Sequence, residues 1–431
     1  MKPEDVTQLK RLMEYEAARQ EPPREFPTLP DIPAGRYTDE RFYELEKQYV
    51  WRKAWLFAAH IDEIPEPGCF VTWENTGEPV VIVHARDGSV NAFYNTCSHR
   101  GAPVVTDGSG RRPTLTCKYH GWSYALTGEL ISIRDGEDFR DFDFSCRGLK
   151  PVRCERFGNL IFLNFDADAP SLLEWLGPVV DEWAEFQFEH CRLVSKRSFD
   201  LNCNWKIAME ANTEVYHVPN IHPTTVAPVL DHRRNVNSFY TNGHGRMVAP
   251  GHERDINPQS ARASAIDRSP FPSINTVSEI GETCTQSYGV FPNWVSPLSA
   301  QTIPPLLFWP TSIRTCKFEV WTMYHGQGEG GIPTDQLPNI WTSPDGKELG
   351  QVLQEDTQFG EAIQASMESS AFEGVPLSYQ EARIYHWNQW ADRIIGLDNI
   401  PQELRVKQVM GDEWLMPNDP RIAEMNEVSA G

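Results

Sequence analysis

Apolar residues recur along the chain at two different periods, and the change of period divides it. From Trp55 to Phe165 short alternating apolar runs are punctuated by Gly and Pro, as in Phe70–Trp73, Val80–Val83, Val90–Tyr94 and Leu160–Phe165. That pattern predicts a small antiparallel β domain. Beyond it, Leu172–Phe188 reads as a helix interrupted at Pro178, Leu193–Leu201 as a strand and Trp205–His217 as helical. Phe291–Met323 is strand-rich, while Leu349–Met367 and Tyr379–Ile395 carry helical spacing,. The predicted class is α+β, with helices packed on one antiparallel sheet in the larger part. Upstream, Val6, Leu9, Leu12, Met13 and Tyr15 lie among charges and predict an amphipathic helix serving a subunit contact, followed by a Pro-rich linker over Glu21–Pro33,. The expected boundaries are 1–36 for arm and linker, 37–165 for the β domain and 166–431 for the second domain.

At 431 residues two domains are expected on size alone,. The net charge of -21 argues against a phosphate-backbone partner, since nucleic acids select clustered Lys and Arg,. Nine cysteines, an odd number without dense spacing, point to a reducing compartment rather than a disulfide scaffold,. No stretch approaches the roughly 18 apolar residues of a membrane span, so a soluble, cytoplasmic protein is expected. The glycines at 326, 328, 330 and 331 precede Pro333 and no helix opens there, which reads as a turn rather than a dinucleotide loop,.

Two constellations carry chemistry. Residues 97–101 read Cys-Ser-His-Arg-Gly and residues 117–122 read Cys-Lys-Tyr-His-Gly-Trp. Each half offers one thiolate and one imidazole, so two hairpin loops can clamp a two-iron, two-sulfur cluster, Cys97 and Cys117 on one iron and His99 and His120 on the other. A zinc site of two Cys and two His is the alternative, although zinc modules usually pair their cysteines together. Gly101 and Gly121 allow tight turns, and Trp122 can cover the cluster from water. The remaining cysteines read as buried small hydrophobes, apart from Cys203, whose role stays open.

The second constellation lies in Asn204–His222. His217 and His222, five apart, would stand about 140° apart on a continuous helix, so Pro219 must end the helix and let the chain return His222 to the same face,. Two imidazoles and one carboxylate on one face form the set that holds non-haem ferrous iron with open positions. Asp356, on a helix whose Phe359 and Ile363 are expected to pack inward, is the candidate carboxylate, with Glu355 the runner-up. Candidates for substrate contact are Met209, Val218, Asn220, Val226, Ile303, Leu306, Phe308 and Arg314.

Cys-x-His, seventeen intervening residues and Cys-x-x-His, followed by Asn204-Trp205-Lys206, Glu210 and Glu214-Val-Tyr-His217-x4-His222, resembles the Rieske non-haem iron oxygenase alpha subunits over roughly residues 38–395,. Two departures stand out. Ala211 and Asn212 replace the family's Asn-aromatic pair after the first Glu, and Glu214 stands where many aromatic dioxygenases carry Asp. The resemblance implies a Rieske [2Fe-2S] β domain and a catalytic domain with mononuclear Fe(II), using O2 and electrons from NADH. Those electrons would come through a separate flavin reductase, with or without a ferredoxin. It implies a homotrimer, with or without a small beta subunit, in which Glu214 bridges His217 to a neighbour's His120. The expected reaction is hydroxylation or dihydroxylation of an aromatic or hydrophobic, carboxylated or uncarboxylated compound. Its alternative is monooxygenation or demethylation at a C–H beside N or O, as in quaternary amines; an electron-transfer Rieske protein is the reading from another class.

Overall fold

A computed structural model describes residues 1–252, 274–326 and 341–430, with the side chains of 426–430 left out. Of the glycine cluster, residues 328, 330 and 331 fall outside the described residues. The chain forms two compact units, Trp51–Glu174 and, together, Met1–Val50 with Trp175–Gly431.

In the smaller unit the alternating runs become an antiparallel seven-stranded sheet ordered Leu56–His60, Leu160–Asn164, Pro151–Phe157, Val90–Tyr94, Val80–His84, Cys69–Trp73, Ser109–Arg111. A three-stranded sheet of Leu115–Thr116, Ser123–Tyr124 and Leu130–Ser132 accompanies it. Phe70, Val81, Val83, Phe93, Leu115 and Trp122 fill one core together with Cys97 and Cys117. Val81 and Val83 turn inward on the same strand face, as a period of two requires.

The larger unit is built on an eight-stranded antiparallel sheet. Its longest pair, Cys191–Leu201 with Thr315–His325, runs in register from Cys191↔His325 to Leu201↔Cys316 with one irregularity at Leu193/Ser195. Pro178 divides the first helical stretch into Leu172–Leu176 and Val179–Trp183. The helix Ala382–Ile395 lies almost wholly buried, although Arg383, His386, Asn388, Gln389 and Asp392 lie on it.

Three expectations change. The apolar face of the amphipathic helix, Pro3–Ala18, is taken up by its own unit: Leu9, Leu12 and Met13 are covered by Val236, Val248, Ile280 and Met425. Residues 37–50, which the apolar pattern joins to the β domain, pack with the larger unit. Charge explains why: Lys206 Nζ meets Glu46 Oε1 at 2.7 Å with both side chains fully buried, and Tyr37 donates to Glu210 at 2.9 Å. A buried ammonium must keep its carboxylate, so the segment carrying Glu46 is held there. Finally, Cys146 is exposed and Cys69, Cys154 and Cys284 are half-buried, so only some of the spare cysteines are core residues. No helix among the described residues is long and apolar enough to cross a membrane.

Asn204 joins three parts of the larger unit. Its side chain accepts from Lys206 N (3.0 Å) to cap the helix Trp205–Glu210 and donates to the carbonyls of Tyr37 (3.2 Å) and Ile313 (2.9 Å). Asn204→Ala removes the cap and leaves two carbonyls without this donor, and is expected to lower stability by about 3 kcal/mol in urea melts.

Two buried histidines set a pH response. His244 donates from Nε2 to Trp175 O and accepts at Nδ1 from Phe291 N, while His386 donates from Nε2 to Tyr240 O. Burial holds His244 down to about 4 and His386 to about 3, against 6.5 for a free ring. Between those values the unfolded chain binds more protons than the folded one. The contribution of these two rings is therefore fully present above pH 6.5 and is lost on acidification, by up to about 1.4 kcal/mol per pH unit for each ring. Urea melts at about pH 7.5 and about pH 5 should show the loss, and equal midpoints would contradict it.

Candidate metal centres

The two halves of the first constellation are built as the same turn. Cys97 N donates to Ala102 O and Gly101 N to Cys97 O; likewise Cys117 N donates to Trp122 O and Gly121 N to Cys117 O. Gly101 at φ +74° and Gly121 at φ +77° occupy the left-handed region, where a side chain is strained,. Both cysteines are buried, and both histidines lie half-exposed at the rim. Burial raises the Cys117 thiol above its ordinary value, and the Cys97 thiol beside it adds to the shift. The Nδ1 atoms of His99 and His120 approach to 3.2 Å. Two sulfurs inside and two imidazole nitrogens outside fit a [2Fe-2S] cluster with a sulfur-ligated inner iron and an imidazole-ligated outer one. Trp122, fully buried, stacks on His99 with ring centroids 4.7 Å apart and planes at 9°. Sequence reasoning missed Tyr124, whose hydroxyl stands 3.2 Å from Cys97 Sγ and also receives Ser98 N. The period-two pattern marks Tyr124 only as a core position.

At the second constellation the helix is shorter than its sequence suggests. It runs from Trp205 to Glu210, and residues 211–217 follow as turns. Pro219 does not end a helix but stands in the first turn of a short one, Val218–Ile221, where its missing N–H has no helical partner to lose,. His217 and His222 flank that single turn, with ring centroids 5.1 Å apart. One donor atom each from His217, His222 and Asp356 all lie within 4.8 Å of one another. Asp356 Oδ1 stands 2.8 Å from His222 Nε2 and 3.3 Å from His217 Nε2.

The outer nitrogens are held as well. His217 Nδ1 bonds to Glu214 Oε1, and Glu214 also accepts from the backbone N–H groups of Tyr216 and His217. His222 Nδ1 bonds to Glu355 Oε2 at 2.7 Å, and Thr225 and Gln351 fix that carboxylate. Glu355, the runner-up, therefore faces the nitrogen turned away from Asp356. Burial pulls His217 down, but Asp356 and Glu214 outweigh it and raise the ring to about 10. Such a pocket of anionic charge around two imidazoles suits a divalent cation, which would replace the protons. Two nitrogens and one oxygen on one side are the donor set of a non-haem iron site.

The cavity facing these donors is lined by Val218, Val226 and Leu306 among the candidate contacts, with Val215, Leu230, Met247, Trp341 and Val352 added by the fold. Five candidates lie elsewhere. Met209 lines a neighbouring cavity, Asn220 is exposed, and Ile303 and Phe308 are buried inside the sheet, Phe308 stacked on Phe318 at 4.6 Å. Arg314 points to solvent and pairs with Glu368 at 2.7 Å. Phe359 and Ile363, expected inward, are exposed by 49% and 40%; residues 358–359 separate the helix Gln351–Thr357 from Gly360–Met367 and change which face is covered. Cys203 belongs to neither centre and is buried against Cys316.

Known proteins match both parts of the chain. Residues 54–143 match the Rieske [2Fe-2S] domain, and residues 188–397 match the ring hydroxylating alpha subunit catalytic domain. The chain belongs to the Rieske oxygenase alpha subunits. It is 30% identical over 202 residues, 47% of its length and 45% of the relative's, to a glycine betaine monooxygenase oxygenase subunit of Chromohalobacter salexigens. It is 32% identical over 216 residues, 48% of its length and 45% of the relative's, to the large subunit of an anthranilate 1,2-dioxygenase of Acinetobacter baylyi. The matched stretches thus span about half the length of these curated relatives. In fold it is similar to a quaternary ammonium Rieske monooxygenase solved with L-carnitine, at TM-score 0.65 and 19% identity over 87% of this chain and 99% of that one.

Tyr124→Phe removes a hydrogen bond to Cys97 sulfur, which favours the reduced, more anionic cluster. The reduction potential is expected to fall by roughly 40 mV, the one-electron equivalent of about 1 kcal/mol, with the cluster retained. Protein-film voltammetry checks this.

Proposed function

We propose that the chain is the terminal oxygenase component of a Rieske-type system and oxidises a C–H bond beside the nitrogen of a quaternary ammonium compound. In this reading Cys97, His99, Cys117 and His120 hold the [2Fe-2S] cluster, and His217, His222 and Asp356 hold Fe(II). NADH is the electron source through a separate flavin reductase, with or without a ferredoxin. The observation that carries the substrate class is the cavity over the donors. Among the described residues its walls are mostly aliphatic, with Asn212, Thr285 and Ser287 as neutral polar groups, Trp341 is its one indole or phenyl face, and no Lys or Arg lines it. An indole face attracts a quaternary ammonium group. A carboxylate, by contrast, finds no cationic partner on those walls, which argues against anchoring an acid there. The relative from Chromohalobacter salexigens bears a name in the same substrate class.

Iron held by His217, His222 and Asp356 would supply dioxygen activation, and a cluster held by Cys97, His99, Cys117 and His120 would supply an electron to it. The chain's own groups do the rest. Glu214 and Glu355 hold the Nδ1 protons of His217 and His222, which keeps both Nε2 atoms turned towards Asp356,. Val218, Val226 and Leu306 press the substrate's apolar part towards the donors and exclude water,. Insertion of one oxygen atom of dioxygen into the C–H beside nitrogen, the other leaving as water with two NADH-derived electrons and two protons, would give an α-hydroxy ammonium. Its C–N bond breaks as the hydroxyl proton leaves, to give a tertiary amine and an aldehyde. A homotrimer is part of the proposal. Tyr119 beside His120 and Tyr216 beside His217 are each 58% exposed, and aromatic rings left in water at both centres favour a head-to-tail contact between copies,.

Hydroxylation or dihydroxylation of an aromatic or other hydrophobic compound is the second reading. The aliphatic walls and the anthranilate dioxygenase relative favour it. Turnover with a surrogate reductase, NADH and labelled dioxygen separates the two: one labelled atom and an aldehyde for the first, two labelled atoms in a diol for arene dihydroxylation. A chain that is only an electron carrier would give neither.

His217→Ala should lose the mononuclear iron while cluster absorption stays. Glu214→Gln should keep both metals and yet lower single-turnover product yield by about 10–100-fold, because the carboxylate that orients His217 has lost its charge. An unchanged yield in Glu214→Gln would reduce Glu214 to an ordinary buried acid.

A further inference from the structure

Five arginines among the described residues of the larger unit are buried: Arg36, Arg234, Arg246, Arg383 and Arg421. Four of them have carboxylate partners, respectively Asp392, Glu14, Glu182 and, for Arg421, Glu16 with Asp419. Arg383 is the exception among the described residues. It is 5% exposed, and its hydrogen bonds go to two backbone carbonyls, Thr213 O at 3.0 Å and Gly245 O at 3.5 Å. A guanidinium has five N–H donors, so most of its capacity is unused by the protein. Burial without a counter-charge pulls Arg383 down to about 10, whereas Arg246, beside Glu182, is raised.

The fold makes room for this cation. Gly245 and Gly289 are paired across adjacent strands, and a Cβ on Gly289 would come within 2.8 Å of Arg383 Nη2. The guanidinium lies in that slot and lines a cavity with Glu210, Gly243, Phe291, Trp294 and Trp387. Glu210 is the cavity's carboxyl group, but it is turned to the Tyr37 hydroxyl at 2.9 and 3.0 Å. Burial raises Glu210 to about 8, and it makes no ion pair with Arg383.

We propose that the cavity beside Arg383 is a binding site for a small monovalent inorganic anion of halide size, held by the guanidinium in its two-glycine slot. A lone buried cation is costly, and an anion in contact with it offsets that cost. The close packing around the slot favours a compact ion over an organic acid. The site bears on the iron centre because Arg383 holds the carbonyl of Thr213, the residue before Glu214. An anion at Arg383 would thus stabilise the loop that presents Glu214, without touching the donors themselves.

Bromide is the probe. Crystals of the metal-loaded protein grown in bromide should show an anomalous peak within contact distance of the Arg383 guanidinium. Thermal melts at constant ionic strength should run several degrees higher in chloride than in gluconate, which is too bulky to enter, and Arg383→Met should abolish that difference. A bromide map without a peak at Arg383 overturns the proposal, as does a chloride effect that persists in Arg383→Met. If the variant fails to fold, the bromide map of the unaltered protein decides alone. None of these readouts requires turnover, so the result is independent of the substrate reading.

Discussion

An imidazole can serve a metal only if one nitrogen is stripped of its proton and aimed, and the larger unit meets that demand by anchoring the other nitrogen. Glu214 takes Nδ1 of His217 and Glu355 takes Nδ1 of His222. Glu355 and Asp356 are neighbours on the helix Gln351–Thr357, so one helical turn grips opposite sides of the same ring. A shift of that helix would displace the oxygen donor and the ring's anchor together. The adjacent acids are therefore a single geometric device, and neither can substitute for the other without rotating His222.

Behind this device the scaffold is tied by buried charge. Glu46 meets Lys206, Asp392 meets Arg36, and Glu16 meets Arg421, linking residues far apart in sequence. Such pairs contribute little net stability compared with apolar packing, but breaking one leaves an ion stranded in the interior. Their effect is to specify which segments meet. Residues 35–50 are held to the helices Trp205–Glu210 and Ala382–Ile395 by partners that no apolar substitute would select.

What the sequence disclosed followed the range of its signals. Strand periodicity is local, and the predicted strands of the smaller unit appear within a residue or two of their expected ends. The paired Cys and His halves were legible because turn, donor and glycine sit within a few residues of one another. His217, His222 and Asp356 were legible as a set, yet the path joining His217 to His222 differs from the one expected: Pro can stop a helix or open one, and only the backbone before it decides,. Glu355 was seen as a rival to Asp356, whereas its place at the outer nitrogen depends on how a distant helix is rotated. Met209, Ile303 and Phe308 look like pocket residues because apolar side chains that line a cavity and those that fill a core share the same composition. Arg383 carries no signal in the linear chain, since its isolation arises only when the sheet and helix close around it.

The matched turns of the smaller unit have a stereochemical consequence. Nothing lies within 4 Å of where a Cβ would stand on Gly101 or Gly121. The demand for glycine there is accordingly one of handedness and not of space. A D-alanine, whose backbone prefers positive φ, would fit either turn unstrained, while its mirror image would not. Asp135 and Asn242 of this chain reach positive φ, at 49° and 60°, as strained L residues, whereas glycine is free of that cost, so the geometry of a turn made twice favours glycine in both halves,.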